Sequence, residues 1–475
     1  MTFITYKINS DRIASERRDM KVFFRVFLFV SLLLNLFLVS AYRDSSQIAD
    51  NYSYQPAVIP TGVVNKINWD DTWTYFKEST LTKVLCQYRK TQVCDFTLPA
   101  NAPKNIVTNF YTLQVSEKQL SVPANSLASL ASLDNGNLVI ARRNGDLYNY
   151  DPVSDDFKKI STLISNESNV NFIQGPLSGV NEALGLGIRD IFIDQTSDST
   201  TLYFTYTRVD SSGCLSMNFE SVELDNQNTY QNGWRNRKII WSTKNECLRF
   251  SEAHILGAGG KIEKLSQSQF LVSLGDLNLI DNRLKKSVWG NIQMINSETG
   301  DVEIFTRGHR NPSGMIKIMD GRIFQIEQGP QGGDEINQLE LGSDYGWPTS
   351  SFGRNYTHGG YAAGENTHEF GREPLMAFVP SPAFSSITTF PKLAPKFWTN
   401  SRGIPDLFIT SLKGNSIYRC RLGVANIDIN YCERIFLRER LRDLVLSQKD
   451  NVFRFYVLTE RSTLISMTVK GLVRI

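Results

Sequence analysis

The sequence predicts an all-β fold, a six-bladed β-propeller preceded by an N-terminal transmembrane or signal-anchor helix. Three observations carry this. From about residue 121 onward short apolar runs recur, such as Leu138–Ala141, Leu202–Tyr206, Phe270–Leu274, Ile323–Ile326, Leu407–Ile409 and Phe453–Leu458. Between such runs lie Asn135-Gly136, Asn144-Gly145, Asp320-Gly321 and Gly414-Asn415, pairs that supply the positive φ angles of tight hairpin turns. No long stretch of helical period interrupts residues 121–475, so closure into a ring, which leaves few raw strand edges, is the expected arrangement. About six units of roughly 60 residues fill that span. Strand texture alone also admits a large sandwich or two stacked β-domains.

The elements follow in chain order. Hydrophobic residues make up 41% and charged residues 21% of the 475, which excludes wholesale disorder and a collagen-like chain. Residues 1–21 are a basic lead, expected on the cytoplasmic side. Residues 1–25 carry six basic groups against three acidic ones, and that difference of +3 is the whole formal net charge of the chain. The remainder sums to zero, so no bulk electrostatic attraction to nucleic acid is expected.

Residues 22–42 read VFFRVFLFVSLLLNLFLVSAY, and the uncharged part from Val26 to Tyr42 is 17 residues, at the short edge of a membrane span. The basic flank before it sends the body to the extracytoplasmic side, with Arg25 snorkelling to the headgroups. An uncleaved signal anchor is one reading, and a signal peptide cut after Val39-Ser40-Ala41 is the other; the long charged lead favours the anchor. Residues 43–120 read as a membrane-proximal segment, with Trp73, Phe76, Leu81, Val84, Leu85 and Tyr88 near helical spacing over Asp71–Lys90. Residues 121–475 are the propeller.

All six cysteines (Cys86, Cys94, Cys214, Cys247, Cys420, Cys432) follow the apolar segment. An even count in an exported body points to disulfides, and sequential pairing would close short local loops at Cys86/Cys94 and Cys420/Cys432. Several chemistries are absent. There is no P-loop, no G-x-S-x-G elbow and no H-E-x-x-H, and the four histidines (His254, His309, His358, His368) are not at metal spacing. Gly185-Leu186-Gly187 and Gly257-Ala258-Gly259 each lack the third glycine of a dinucleotide fingerprint.

The densest unusual stretch runs from Gly308 to Pro348. It holds Gly308-His309-Arg310-Asn311-Pro312, then IEQGPQGGDEINQ over 326–338, then Asp344-Tyr345-Gly346-Trp347-Pro348. A strand ending in a glycine-rich loop with carboxylates and exposed carbonyls suits a hard cation such as Ca²⁺, which takes six to eight oxygens. An arginine beside it suits an anionic ligand held by a bidentate fork. A turn-rich propeller corner whose acids only cap loops is the plainer alternative.

This stretch resembles the PQQ-dependent glucose/sorbosone dehydrogenase family, soluble aldose sugar dehydrogenases built on a six-bladed propeller. The family pattern is close to G-H-R-N-P-x-G, then E-x-G-P-x-x-x-D-E-[IL]-N, then N-Y-G-W-P, with Asp344 here in place of the usual Asn. The resemblance spans roughly 125–467 and includes Leu133–Asp151, Leu184–Thr207, Phe270–Asp276, Ser411-Leu412-Lys413, Arg440-Leu441-Arg442-Asp443 and Tyr456–Glu460. It implies that Arg310, Asn311, Lys413, Arg440 and Arg442 contact PQQ, a cofactor bearing three carboxylates. It implies that the carbonyls of Gly329 and Pro330 hold a Ca²⁺ at the cofactor, and that Glu335 and Tyr345 belong to a second, structural calcium. The expected activity is oxidation of an aldose at its anomeric carbon to a lactone, with electrons passed to an acceptor of the respiratory chain and the protein held at the membrane by its N-terminal helix.

One departure bears on catalysis. The family's general base is a histidine opening His-x-Gly-Gly-[Arg/Lys]; here Gly259-Gly260-Lys261 is present, but Gly257 holds the histidine's place. His254, three residues earlier, is the substitute expected if the loop lets it reach the sugar hydroxyl, and Asp276 would orient it. His309 is expected to be structural. The alternative is a non-catalytic sugar- or protein-binding propeller that has lost its base.

Overall fold

A computed structural model describes residues 104–472 except 109–110, 165–185, 211, 225–232, 251–252, 254, 280–286, 355–367, 369, 391–394, 425–427 and 450–451. These belong to one compact unit, Ser79–Ile475. The apolar segment 22–42, the helix expected over 71–90, Cys86, Cys94 and His254 lie outside the described residues. Among the described residues no helix is long and apolar enough to cross a membrane.

Six antiparallel sheets form the six blades. Their innermost strands are Leu127–Ser132, Gly187–Gln195, Gly259–Lys264, Pro312–Lys317, Phe384–Thr388 and Leu441–Lys449. Within each blade the strands meander, and the expected turns appear where positive φ is needed: Gly136 has φ 87° and Gly321 has φ 92°. Gly321 faces open space, so its backbone conformation, not crowding, is what calls for glycine there.

The ring closes through residues that precede the expected boundary at 121. Tyr111–Gln119 pairs with Thr463–Leu472 and so becomes a strand of the sixth blade, and Lys104–Val107 extends that sheet. Joining the first and last described strands in one sheet removes the edge that an open ring would expose. The seam is packed as well as hydrogen-bonded. Tyr111 is fully buried and meets Trp398 edge-on at 5.5 Å, and Trp398 packs on Phe408 and Phe455. Each buried side chain of this size contributes roughly 1.5–3 kcal/mol. Beside the seam, buried Arg419 is satisfied by Asp406 (2.7 Å) and Glu433 (2.8 Å).

Cys214 pairs with Cys247, and Cys420 with Cys432, as sequential pairing predicts; the second bridge joins directly opposed residues of neighbouring strands.

One irregularity repeats in all six blades. Each innermost strand slips register against its neighbour close to its first residue, at Leu127/Ser129, Ile188/Asp190, Gly259/Ile262, Pro312/Gly314, Phe384/Ser386 and Leu441/Asp443. A β-bulge leaves a residue out of the ladder and re-aims its side chain. Here the displaced residues include Ala128, Arg189, Lys261, Ser313, Ser385 and Arg442, and all six line one cavity.

Candidate active site

That cavity, of about 470 Å³, opens where the innermost strands begin. Among the described residues its walls carry Arg143, Arg189, Lys261, Arg440 and Arg442, with Glu460 as the one carboxylate. The opposite side is small and neutral: Asn311, Gln328, Ser313 and Ser385. The second, third and sixth blades thus place cations at the bulge, and the fourth and fifth place serines.

Local packing fixes the cations. Arg189 Nε donates to the Gly259 carbonyl at 3.0 Å. A Cβ on Gly260 would come within 2.5 Å of the Arg189 side chain, so only glycine lets the third blade lie against it. Lys261 Nζ donates to Asp190 Oδ1 at 3.2 Å. The residues after the bulges turn the other way and meet: the Ser129 hydroxyl lies 2.8 Å from Asp190 Oδ1 and 2.7 Å from Asp443 Oδ2. Glu460 takes hydrogen bonds from both Arg440 and Arg442. Burial pushes the Glu460 carboxyl up, but the Arg440 hydrogen bond and the Arg442 charge outweigh it and hold it below the ordinary value. Burial, then the charge of Arg442, brings the Arg189 guanidinium down to about 10, and burial lowers Arg442 as well. A cavity whose cations depress one another favours an anion carrying several charges.

The structure redistributes the residues expected at the cofactor. Asn311, Arg440 and Arg442 line the cavity. Lys413 does not: its side chain is exposed, while its amide donates to the Pro382 carbonyl and its neighbour Leu412 supplies the wall. Arg310 is also outside the wall, because the bulge of its blade aims Ser313 inward and leaves Arg310 in the preceding connection. Its guanidinium donates to the carbonyls of Gln328 (2.9 Å) and Gly329 (2.8 Å) and lies 5.6 Å from the centre of the Trp347 ring. Arg143 and Arg189 have no role in the sequence reading, and Lys261 enters it only as the end of Gly259-Gly260-Lys261. A signal existed: Ile188-Arg189-Asp190 repeats the apolar-Arg-Asp order of Leu441-Arg442-Asp443 at the same place in another blade.

Asp276 does not line the cavity: it is buried, and its carboxylate accepts from Trp347 Nε1 (3.0 Å) and the Asn278 amide (2.9 Å). Burial raises its pKa, opposed by the Arg310 charge. A Cβ on Gly257 would stand 3.4 Å from Asp276 Oδ1, so a side chain there would touch this carboxylate.

Gly329, Glu335 and Tyr345, expected at two calcium sites, gather instead around a single void of about 10 Å³ together with Glu327 and Arg310; Pro330 does not line it. That volume is about one water. The first expected site does not fit a cation in this arrangement, because the Arg310 guanidinium already holds the Gly329 carbonyl. The carboxylates of Glu327 and Glu335 are hard oxygen donors of the right kind for the second. Neither is free: Glu327 faces His309 at 3.6 Å and Glu335 faces His368 at 3.7 Å. His309 is wholly buried, stacked on Tyr345 and bonded to Thr306, a structural place as expected. Among the described residues no group of three His, Cys, Asp or Glu is placed to hold a metal.

For PQQ the fit is good: the volume lies in the usual range for small-ligand sites and the excess of cations matches several carboxylates. A six-bladed propeller whose bulges aim a cationic arc into an axial cavity offers a site whose charge suits a small polyanion. Residues 124–465 match the family described as Glucose / Sorbosone dehydrogenase, and the chain belongs to that family. It is 32% identical over 124 residues to the aldose sugar dehydrogenase YliI of Escherichia coli (strain K12), a segment covering 24% of this chain and 33% of that relative. The aligned segment is thus about a third of that curated relative's length. Among solved structures it is similar to the soluble aldose sugar dehydrogenase of Escherichia coli in its apo form (TM-score 0.58, 21% identity, 75% of this chain, 100% of that one). It is also similar to the PQQ-bound aldose sugar dehydrogenase of Streptomyces coelicolor (TM-score 0.51, 18% identity, 78% and 100%). At these identities the likeness concerns the fold.

Proposed function

We propose that this protein is a PQQ-dependent dehydrogenase that oxidises an aldose at its anomeric carbon to a lactone. The observation that carries the reading is the axial cavity, which among the described residues has five cationic side chains against one carboxylate. When bound, PQQ would supply the two-electron acceptor. Arg189, Lys261 and Arg442 would hold its carboxylates, and Asn311 and Gln328 would bond its ring oxygens. The sugar would lose a hydride from C1 and its hydroxyl proton to a base beside Asp276. His254 is that base in this proposal, with Asp276 fixed by Trp347 and Asn278 to orient the imidazole. Calcium enters only as a cation that the Glu327 and Glu335 carboxylates would hold, and no step runs through it.

The paired cysteines support a body working outside the reducing cytoplasm. The basic lead and the apolar segment 22–42 support anchoring by the N-terminus, or secretion if that segment is cleaved, with a respiratory acceptor taking the electrons. A second reading, a sugar- or protein-binding propeller without turnover, is favoured by one observation: Gly257 places no side chain against Asp276. Adding PQQ and Ca²⁺ to the full-length chain and following dye reduction with a panel of aldoses separates them. Sugar-dependent reduction supports the dehydrogenase; cofactor binding without turnover leaves the binding module.

A further inference from the structure

Beyond the bulges the hub holds a second space, of about 230 Å³, to which all six innermost strands contribute. Lys261 belongs to the walls of both spaces, so the two meet at its side chain. We propose that Asp190, Ser129 and Asp443 at this junction share one proton, and that the protonated bridge positions Arg189 and Arg442 for the polyanion. The inference rests on the reading of the axial cavity as a polyanion site.

Three neighbouring blades meet at one hydroxyl. Ser129 Oγ, on the innermost strand of the first blade, lies 2.8 Å from Asp190 Oδ1 of the second and 2.7 Å from Asp443 Oδ2 of the sixth. All three residues are buried. A serine hydroxyl has one proton to give, so only one carboxylate can receive it. The other carboxyl oxygen, equally close, must carry a proton of its own and donate it to Ser129 Oγ. The remaining partners agree with that count. The Ile191 amide donates to Ser129 Oγ at 3.4 Å, which leaves one acceptor place there for a carboxyl O–H. The Leu130 and Leu444 amides donate to Asp443 at 2.8 and 2.9 Å. The Ile262 amide and Lys261 Nζ donate to Asp190 at 2.9 and 3.2 Å. All four are donors, and none can take the proton instead.

Each aspartate directly follows an arginine of the axial cavity, Arg189 or Arg442, across the register slip of its strand. A bridge that ties the aspartates therefore also sets the aim of the arginines. Among the described residues, the other charged groups on the wall of the second space are Lys261 and Glu263, and Glu263 in turn meets Lys317. The fourth and fifth blades bring only neutral residues, such as Met315, Ser386 and Thr388. Burial raises the pKa of Asp190; the Lys261 charge opposes this and the Asp443 charge adds to it. The bridge is thus complete at low pH and is lost as pH rises through its raised value. Loss leaves two facing carboxylates and one more negative charge beside the cationic arc, which weakens the hold on a polyanion. By reciprocity, a bound polyanion strengthens the hold on the proton, which bulk water supplies.

The test uses the full-length chain carrying Glu263→Gln, so that this neighbouring acid does not titrate. Without any ligand, the infrared spectrum of that chain minus that of its Asp190→Asn variant should show the C=O band of a protonated carboxyl in mild acid, and the band should fade as pH is raised. Calorimetry with PQQ over the same pH range should show affinity falling by about tenfold as the band fades, with protons taken up on binding. Asp190→Asn leaves one carboxylate for one hydroxyl and needs no shared proton, so its PQQ affinity should not follow pH. Asp443→Asn should give the same flat profile. Absence of the carboxyl band, or the same pH slope with and without each aspartate, overturns the bridge. A chain that shows the band yet binds no PQQ at any pH keeps the shared proton and removes the cofactor reading instead.

Discussion

Arg189 and Arg442 occupy the same bulge position in the second and sixth blades, and both point into one cavity, where the charge of Arg442 adds to burial in lowering Arg189 to about 10. Two half-buried cations facing one cavity oppose each other. Removing one should therefore not destabilise the free protein: Arg189→Ala is expected to leave the denaturant midpoint unchanged or raise it. A midpoint lowered by more than about 1 kcal/mol in equivalent stability would make Arg189 a structural cation.

Glu263, on the innermost strand of the third blade, gives a pH dependence. Burial raises its pKa to about 8, opposed by its contacts with Lys317. The folded chain therefore keeps a proton that the unfolded chain releases near pH 4.5. The stabilisation is present below that value and is lost as pH rises to about 8. Glu263→Gln should gain melting temperature relative to the parent between pH 5 and pH 8, by on the order of a few kcal/mol in stability. A difference independent of pH would contradict this.

Gly257 and His254 can be separated by exchange. If His254 supplies the base, His254→Ala should lower kcat by about 10²–10⁴-fold with PQQ affinity retained. Gly257→His, placed against Asp276, should restore turnover in the His254→Ala background. Full activity in His254→Ala would remove that histidine from the mechanism.

Calcium bound by Glu327 and Glu335 would stabilise the folded chain by mass action. Chelation should lower the melting temperature, Ca²⁺ should restore it, and Glu335→Gln should abolish the response. A melting curve indifferent to chelator would show that the carboxylates and their histidine partners form a finished, metal-free cluster.

Much of the ring was legible because its signals are local. Short apolar runs such as Ile323–Ile326 and turns such as Asp320-Gly321 declare strands and hairpins within a few residues. The closing strand Tyr111–Gln119 was not legible, since its partner Thr463–Leu472 lies some 350 residues away and nothing nearby announces the pairing. The site was legible where a motif is contiguous, as at Arg440-Leu441-Arg442-Asp443. It was misplaced where position depends on a bulge: Arg310 stands just before the cavity-lining Asn311, held by carbonyls of its own blade. Arg189 and Lys261 enter only because register slips aim them inward. Glu460, which clamps two arginines, is marked in sequence only as the last residue of the Tyr456–Glu460 resemblance, with no role attached.

The most direct measurement is an equilibrium titration of the full-length chain with PQQ, followed by absorbance, beside the Arg189→Ala/Arg442→Ala double variant. The cationic arc predicts saturable binding that weakens by about 10²-fold or more in the double variant, each charged hydrogen bond contributing roughly 1.5–3 kcal/mol. No spectral change with the parent chain, or equal affinity in parent and double variant, would contradict the assignment of the axial cavity to this cofactor.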